Sequence, residues 1–262
     1  MAAITLKDVH LTFTLRKRGS TSIKDTILRT LTGRAAPPSP TIHAIRGLNL
    51  DLRDGDRLGI VGHNGAGKST LLRLLAGVYR PTAGSMQVQG RISSLFELNL
   101  GFDEDANGWE NIRYRGYLLR ESPEKLEKKI ASIAEFAELG EAMDRPIRYY
   151  SAGMLVRLAF AISTAIEPEI LLVDEILAAG DLAFVEKARQ RMNDLMKQSS
   201  ILVMVSHALK SIEQMCNKAI WMEQGKIRQS GSPEEIVAAY RDYMLAKAAQ
   251  NAAATRQQPQ AA

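Results

Sequence analysis

The clearest chemistry in this chain sits in one run: Gly62, His63, Asn64, Gly65, Ala66, Gly67, Lys68, Ser69 and Thr70. It matches G-x-x-x-x-G-K-[ST], a loop whose glycines let successive backbone N–H groups face one concavity. Such a nest takes phosphate. The short apolar stretch Arg57–Val61 precedes it, and a helical pattern, Lys68–Ala76, follows and is ended by Gly77. The loop therefore opens a helix, and the helix N-terminus adds roughly half a positive charge at the same point. Lys68 is placed to reach the β- and γ-phosphates of ATP, and Ser69 to offer its hydroxyl to Mg²⁺. The strand–loop–helix setting separates the motif from a plain glycine-rich turn.

Two further features gain meaning from that loop. Ile170-Leu171-Leu172-Val173 is an apolar strand that runs into Asp174 and Glu175. A buried strand holds such carboxylates rigidly at its C-terminal end, where α/β sheets bind ligands. Asp174 would hold Mg²⁺ through water, and Glu175 would polarise the attacking water as general base. By itself an apolar strand ending in Asp-Glu is commonplace. Ser151-Ala152-Gly153-Met154 lies 23 residues ahead of Asp174 and opens an apolar helix. Alone it is an N-cap with Ser as capping residue. A capped helix end is also an anion site, so both roles are compatible.

The elements that must hold these residues follow from periodicity. Residues 4–13 pattern as a strand, and Ala44–Leu52 alternates as a second one. Strands recur at Ile170–Val173 and Ile201–Val205, and Lys218–Met222 with Lys226–Gln229 flanks Glu223-Gln224-Gly225 as a hairpin. Residues 104–166 are mostly helical in pattern, with starts at Asn107-Gly108 and Ser122-Pro123. Ser232-Pro233-Glu234-Glu235 marks a last helix start. Strands alternating with helices imply a mainly parallel sheet, with a helical insertion from about 100 to 165. The organisation expected is one domain over 1–248 and an Ala/Gln-rich disordered tail over 249–262.

Charge and composition narrow the class. The formal net charge is +5. Residues 14–41 hold Arg16, Lys17, Arg18, Lys24, Arg29 and Arg34 against Asp25 alone, so that segment accounts for the whole excess. Such an arm suits nucleic acid, anionic lipid or an acidic partner, or is a solvated insert. Within it Ile23, Ile27, Leu28 and Leu31 fall at helical spacing. Cys216 is the sole cysteine, so no intrachain disulfide can form. The N-terminus lacks the apolar stretch of a signal peptide. No window reaches the roughly 20 apolar residues of a membrane span. The best candidate, Leu155–Ile166, is short and holds Arg157. The expectation is a chain that is soluble, or membrane-bound only through a partner.

With Arg148-Tyr149-Tyr150-Ser151-Ala152-Gly153-Met154 placed before Asp174-Glu175, the sequence resembles the ABC ATPase family over residues ~4–245. The resemblance implies an α/β fold: a P-loop NTPase (RecA-like) core, an N-terminal antiparallel β region and an inserted helical subdomain. It implies a homodimer that sandwiches two ATP molecules, with Ser151, Ala152, Gly153 and Met154 facing the γ-phosphate bound to the opposite subunit. Asp181, in Ala178-Ala179-Gly180-Asp181, matches the loop that crosses the interface, and His207 the switch histidine that contacts γ-phosphate. Phe13 either stacks on adenine or belongs to the core. Glu97 stands where the family usually has a metal-sensing Gln, and Ile176 where Pro often follows the catalytic Glu.

These departures, with His63, Leu100-Gly101-Phe102 and Glu110-Asn111, look like the branch that exports bacterial polysaccharides: O-antigen, capsule and teichoic acid. That implies two integral membrane subunits as partners, engaged around Glu97–Tyr117, and lipid-linked polysaccharide handled indirectly. It implies a peripheral place on the cytoplasmic face of the inner membrane, and no nucleic acid. The tail is too short for a sugar-binding β-sandwich of about 100 residues, so the polymer is expected to be recognised by the membrane subunits or by its lipid end. Two rivals are an ABC ATPase acting on ribosomes or DNA and a small-molecule kinase. One cassette without a heptad run speaks against the first. The second leaves Ser151–Met154 and His207 unexplained.

Overall fold

The computed structural model describes residues 1–14, 40–96, 101–174 and 182–256. The strands are β1 (Ala3–Thr14), β2 (Thr41–Arg53), β3 (Arg57–Val61), β4 (Ala83–Gln89), β5 (Ile92–Ser94), β6 (Ile170–Asp174), β7 (Ile201–Val205), β8 (Lys218–Glu223) and β9 (Lys226–Gly231). The helices are α1 (Lys68–Leu75), α2 (Gly108–Leu118), α3 (Pro123–Ala137), α4 (Ala152–Ala165), α5 (Leu182–Gln198), α6 (Leu209–Met215) and α7 (Pro233–Arg256).

Strands β2-β1-β4 form an antiparallel sheet. A second sheet runs β5-β6-β7-β3-β8-β9 and is parallel except for the β8–β9 hairpin. The parallel strands are apolar on both faces because both faces are covered. Period-two alternation sorts their side chains into two cores. Ile170 and Leu172 of β6, with Ile201, Val203 and Val205 of β7, pack toward the three-stranded sheet and Leu71, Leu72, Leu74 and Leu75 of α1. Leu171, Val173, Leu202 and Met204 face the other way, toward α3, α4 and α5. There Phe136, Phe160 and Phe184 have ring centroids 5.8 to 6.1 Å apart. Emptying such a position, as in Phe160→Ala, costs about 3–5 kcal/mol.

Helices α2 to α4 are the expected insertion, and its starts are those read from sequence. Asn107 and Glu110 form a reciprocal capping box, with both bonds at 2.9 Å. Ser122 caps α3, whose first residue is Pro123. The N-terminal antiparallel region and the hairpin at Glu223-Gln224-Gly225 are likewise present. Strands β4 and β5 leave little mark in the sequence. They are short, and most of β4 is exposed, so no apolar run betrays them.

The tail requires a correction. Helix α7 continues through Arg256, past the expected boundary at 248. An Ala-rich segment cannot bury enough to fold alone, but it extends an anchored helix without a new nucleation step. The basic segment, with its expected helix at 22–31, and the last residues lie outside the described residues, apart from Thr14, Pro40 and Thr41. Among the described residues no helix is long and apolar enough to cross a membrane.

Candidate functional site

Strand order assembles the site. Because β6, β7 and β3 are neighbours and parallel, their C-terminal ends lie along one edge. Asp174 closes β6, His207 follows β7, and Gly62 to Thr70 follow β3. These distant segments line one cleft of about 300 Å³, formed by Asn64, Gly65, Gly67, Lys68, Ser69, Thr70, Asp174, Val205 and His207. A cleft of about 820 Å³ lies instead between β1–β2 and β8–β9, lined in part by His10, His43, Arg46, Asp51 and Lys226. It contains none of the residues singled out for chemistry. We place the site in the smaller cleft, where chemistry rather than size converges.

The loop is built to receive an anion. Gly67 sits at φ 103° just before α1. A Cβ there would meet the Ala44 carbonyl at 2.9 Å, so both conformation and space call for glycine. No side chain caps α1, which leaves its first N–H groups as donors toward the cleft. Lys68 is 8% exposed, and its ammonium donates to the carbonyls of Gly62 at 2.7 Å and His63 at 3.2 Å. These two bonds place the Lys68 ammonium within the loop, where a bound phosphate would lie. His63 Nδ1 lies 2.7 Å from the Asn64 carbonyl, a contact that folds the loop's outer side.

The other expected residues are distributed as follows. Ser151 caps α4: its Oγ accepts from Met154 N at 3.3 Å. None of Ser151, Ala152, Gly153 and Met154 lines the cleft. A Cβ on Gly153 would have only Ser151 Oγ within 4 Å among the described residues, so this helix start faces open space. Phe13 packs edge-on against Tyr79, with centroids 5.1 Å apart, and does not line the cleft. Glu97, Glu175 and Asp181 lie outside the described residues.

Two side chains prove more important than their sequence context suggested. Asn111 is fully buried on α2. Its Oδ1 accepts from Asp103 N at 2.8 Å, and its Nδ2 donates to the carbonyls of Asp103, Ala106 and Asn107 at 2.9 to 3.1 Å. It thereby ties the segment after Gly101 to the helix. Arg115 lies over the Phe102 ring at 4.5 Å, and burial lowers its pKa to about 10. Sequence had flagged Leu100-Gly101-Phe102 and Glu110-Asn111 only as a pattern. The buried bonds supply its physical reason.

A parallel sheet with an uncapped phosphate loop, an acidic strand end on the next strand but one and a helical insertion defines a P-loop ATPase of the ATP-binding-cassette type. Solved structures share this architecture. A dimeric ATP-binding cassette in a post-hydrolysis state with ADP and Pi has a TM-score of 0.64, at 20% identity over 88% of this chain and 98% of that one. A family model for the ABC transporter matches residues 45–178. The O-antigen export system ATP-binding protein RfbE of Yersinia enterocolitica is 39% identical over 231 residues, 87% of this chain and 97% of that protein. RfbB of Myxococcus xanthus, described in the same words, is 44% identical over 258 residues, 97% of this chain. This chain spans 59% of the length of that relative. The teichoic acids export ATP-binding protein TagH of Shouchella clausii is 37% identical over 202 residues, 77% of this chain and 56% of its own length. The chain belongs to the ABC transporter family, and the enzyme activity of its cassette is ATP hydrolysis.

Proposed function

We propose that this chain is the ATP-hydrolysing motor subunit of an exporter that moves a lipid-linked polysaccharide, O-antigen-like, capsular or teichoic acid, across the bacterial inner membrane. The observation that carries the reading is the cleft uniting Gly62–Thr70, Asp174 and His207 in a chain that matches an O-antigen export protein along almost all of that protein's length.

The triphosphate lies on the loop amides and the α1 N-terminus, with Lys68 on its β- and γ-phosphates. Ser69 and Asp174 line the same cleft and are hard oxygen donors, the kind Mg²⁺ prefers. Among the described residues no three metal-binding side chains cluster. Two protein donors beside phosphate oxygens and water suit an ion carried in with the nucleotide. When bound, it neutralises charge developing on the phosphates. Glu175 acts as general base on the attacking water, and His207 contacts the γ-phosphate. Glu97 stands in the sequence where the family usually has Gln, and takes that residue's part in holding the metal. Phe13 supports the adenine side of the pocket from its contact with Tyr79.

Ser151–Met154 complete the site of a second copy, with Asp181 at the crossing. The open helix start at Gly153 supports that arrangement. Tyr114, Tyr117 and Leu118 are 44%, 45% and 68% exposed. They share one face of α2 at i, i+3 and i+4 spacing. That aromatic strip is suited to a docking loop of a membrane subunit, which would hold the chain at the cytoplasmic face as a peripheral protein.

Fractionation tests the proposal. The chain should sediment with membranes only when a multispanning partner is co-expressed, and Tyr117→Asp should release it. Ribonuclease-sensitive sedimentation with ribosomes, without any membrane partner, would overturn the reading.

A further inference from the structure

The phosphate loop is braced from outside the nucleotide cleft. Gly225, in the β8–β9 turn, donates its N–H to the Ala66 carbonyl at 2.9 Å. Its own carbonyl accepts from Arg46 N on β2 at 2.8 Å. Gly225 is buried at φ 78°, and a Cβ there would lie 2.5 Å from the Ala44 carbonyl. The turn is thus wedged, backbone to backbone, between β2 and the loop.

What fixes the turn is the residue that enters it. Both carboxylate oxygens of Glu223 are engaged. Oε2 accepts from Arg228 Nη1 at 2.9 Å, and Oε1 accepts from the Tyr243 hydroxyl of α7 at 2.9 Å. The Arg228 guanidinium lies 4.1 Å above the Trp221 ring and 4.5 Å above the Tyr243 ring, and the two rings are 4.9 Å apart. Burial pushes the Glu223 carboxyl up. The Tyr243 bond and the Arg228 charge outweigh it, helped by His63 in the loop itself, and hold it below the usual range. It is therefore ionised at neutral pH and binds both donors in its charged form, where such bonds are strongest.

Phosphate binding and hydrolysis as described above use none of Glu223, Gly225, Arg228 and Tyr243. We propose that Glu223, held by Tyr243 of α7 and Arg228 of β9, is a positioning residue for the phosphate loop: it fixes the turn whose Gly225 amide holds Ala66, and so links α7 to the protein's affinity for ATP. The inference rests on the loop being the ATP phosphate site. If the clasp loosens, the Gly225 amide swings off Ala66, and the loop must be re-ordered when nucleotide binds. The penalty falls on binding. The proposed reacting groups, Glu175 and His207, follow β6 and β7 in sequence rather than the β8–β9 turn, so turnover at saturating ATP stays.

The test is steady-state ATP hydrolysis by the full chain, with melting temperatures measured alongside. Tyr243→Phe deletes one oxygen and keeps the ring packing, and Glu223→Gln removes the charge. Each should raise KM for ATP by about threefold to tenfold, the effect of losing one charge-assisted bond. At saturating ATP, kcat should stay within about twofold of wild type. Because both variants break one clasp, the double variant should be no worse than the worse single one. Glu223→Asp should restore part of the lost affinity. Should Glu223→Gln fail to fold, Tyr243→Phe carries the test. A lowered melting temperature with unchanged KM would overturn the inference, as would strictly additive effects. Lys68→Ala separates the two levels: if it binds ATP like wild type, the underlying assignment of the loop has failed rather than the clasp.

Discussion

Two helix starts in this molecule are both able to hold an anion, and they differ in one respect. The start of α1 has no side-chain cap, and the loop, Lys68, Asp174 and His207 converge beside it. The start of α4 is capped by Ser151 and looks onto open space at Gly153. Among the described residues only the first start gathers the loop, a carboxylate and a histidine; the second gathers none of them. The difference fits the proposal above, in which the second start serves the site of another copy.

The sharpest way to break the comparison is to damage each start separately. Lys68→Ala removes a buried charge from the first, and ATP affinity should fall by about 10- to 100-fold. Titration calorimetry with Mg-ATP reads this directly, and wild-type affinity would empty the α1 half of its role. Next in size, His207→Ala should leave ATP binding near wild type and slow hydrolysis by about tenfold or more. Full hydrolysis by that variant would make the histidine structural.

Ser151→Ala should do two smaller things. Losing the cap costs about 1 kcal/mol, which in a chain of this size lowers the melting temperature by about 2–4 °C. ATP bound by the isolated chain should be unaffected, because the cap lies outside its own cleft. A loss of monomer affinity equal to that of Lys68→Ala would erase the distinction between the two starts. Felt only at alkaline pH is Cys216, whose thiol is pushed up to about 12 mainly by burial. Between its ordinary value near 9 and 12, the folded chain keeps a proton that the unfolded chain gives up. Stability should therefore drop as pH rises through that window, and Cys216→Ala should flatten the slope in a pH series of melts.

The parts of the site that could be read from sequence are those where one residue type does one local job. The phosphate loop, the Asp174 strand end and the Ser151 cap each depend on neighbours within a few positions, and each appears in the expected element. The convergence of Asp174 and His207 on the loop needed only the rule that parallel strands share a ligand edge. Other features depend on contacts that no local pattern encodes. Asn111 looks like any polar helix residue until its buried bonds to 103–107 are seen. Glu223 looks like the exposed start of a hairpin turn, yet Tyr243, 20 residues on, fixes it. Residues 249–256 depart from expectation for a different reason: composition reports what a segment can do alone, not what it does when grown from an anchored helix.

The pairing of two chains is the central claim, and one measurement addresses it. Glu175→Gln should bind ATP and fail to hydrolyse it, so the closed state accumulates. Its mass by size exclusion with light scattering in Mg-ATP should be twice that of one chain, and one chain without nucleotide. Adding Ser151→Glu to that variant places a negative charge where the partner's γ-phosphate must dock, and should return it to a single chain with ATP still bound. A Glu175→Gln chain that binds ATP stoichiometrically and remains single at every protein concentration tested would contradict the account.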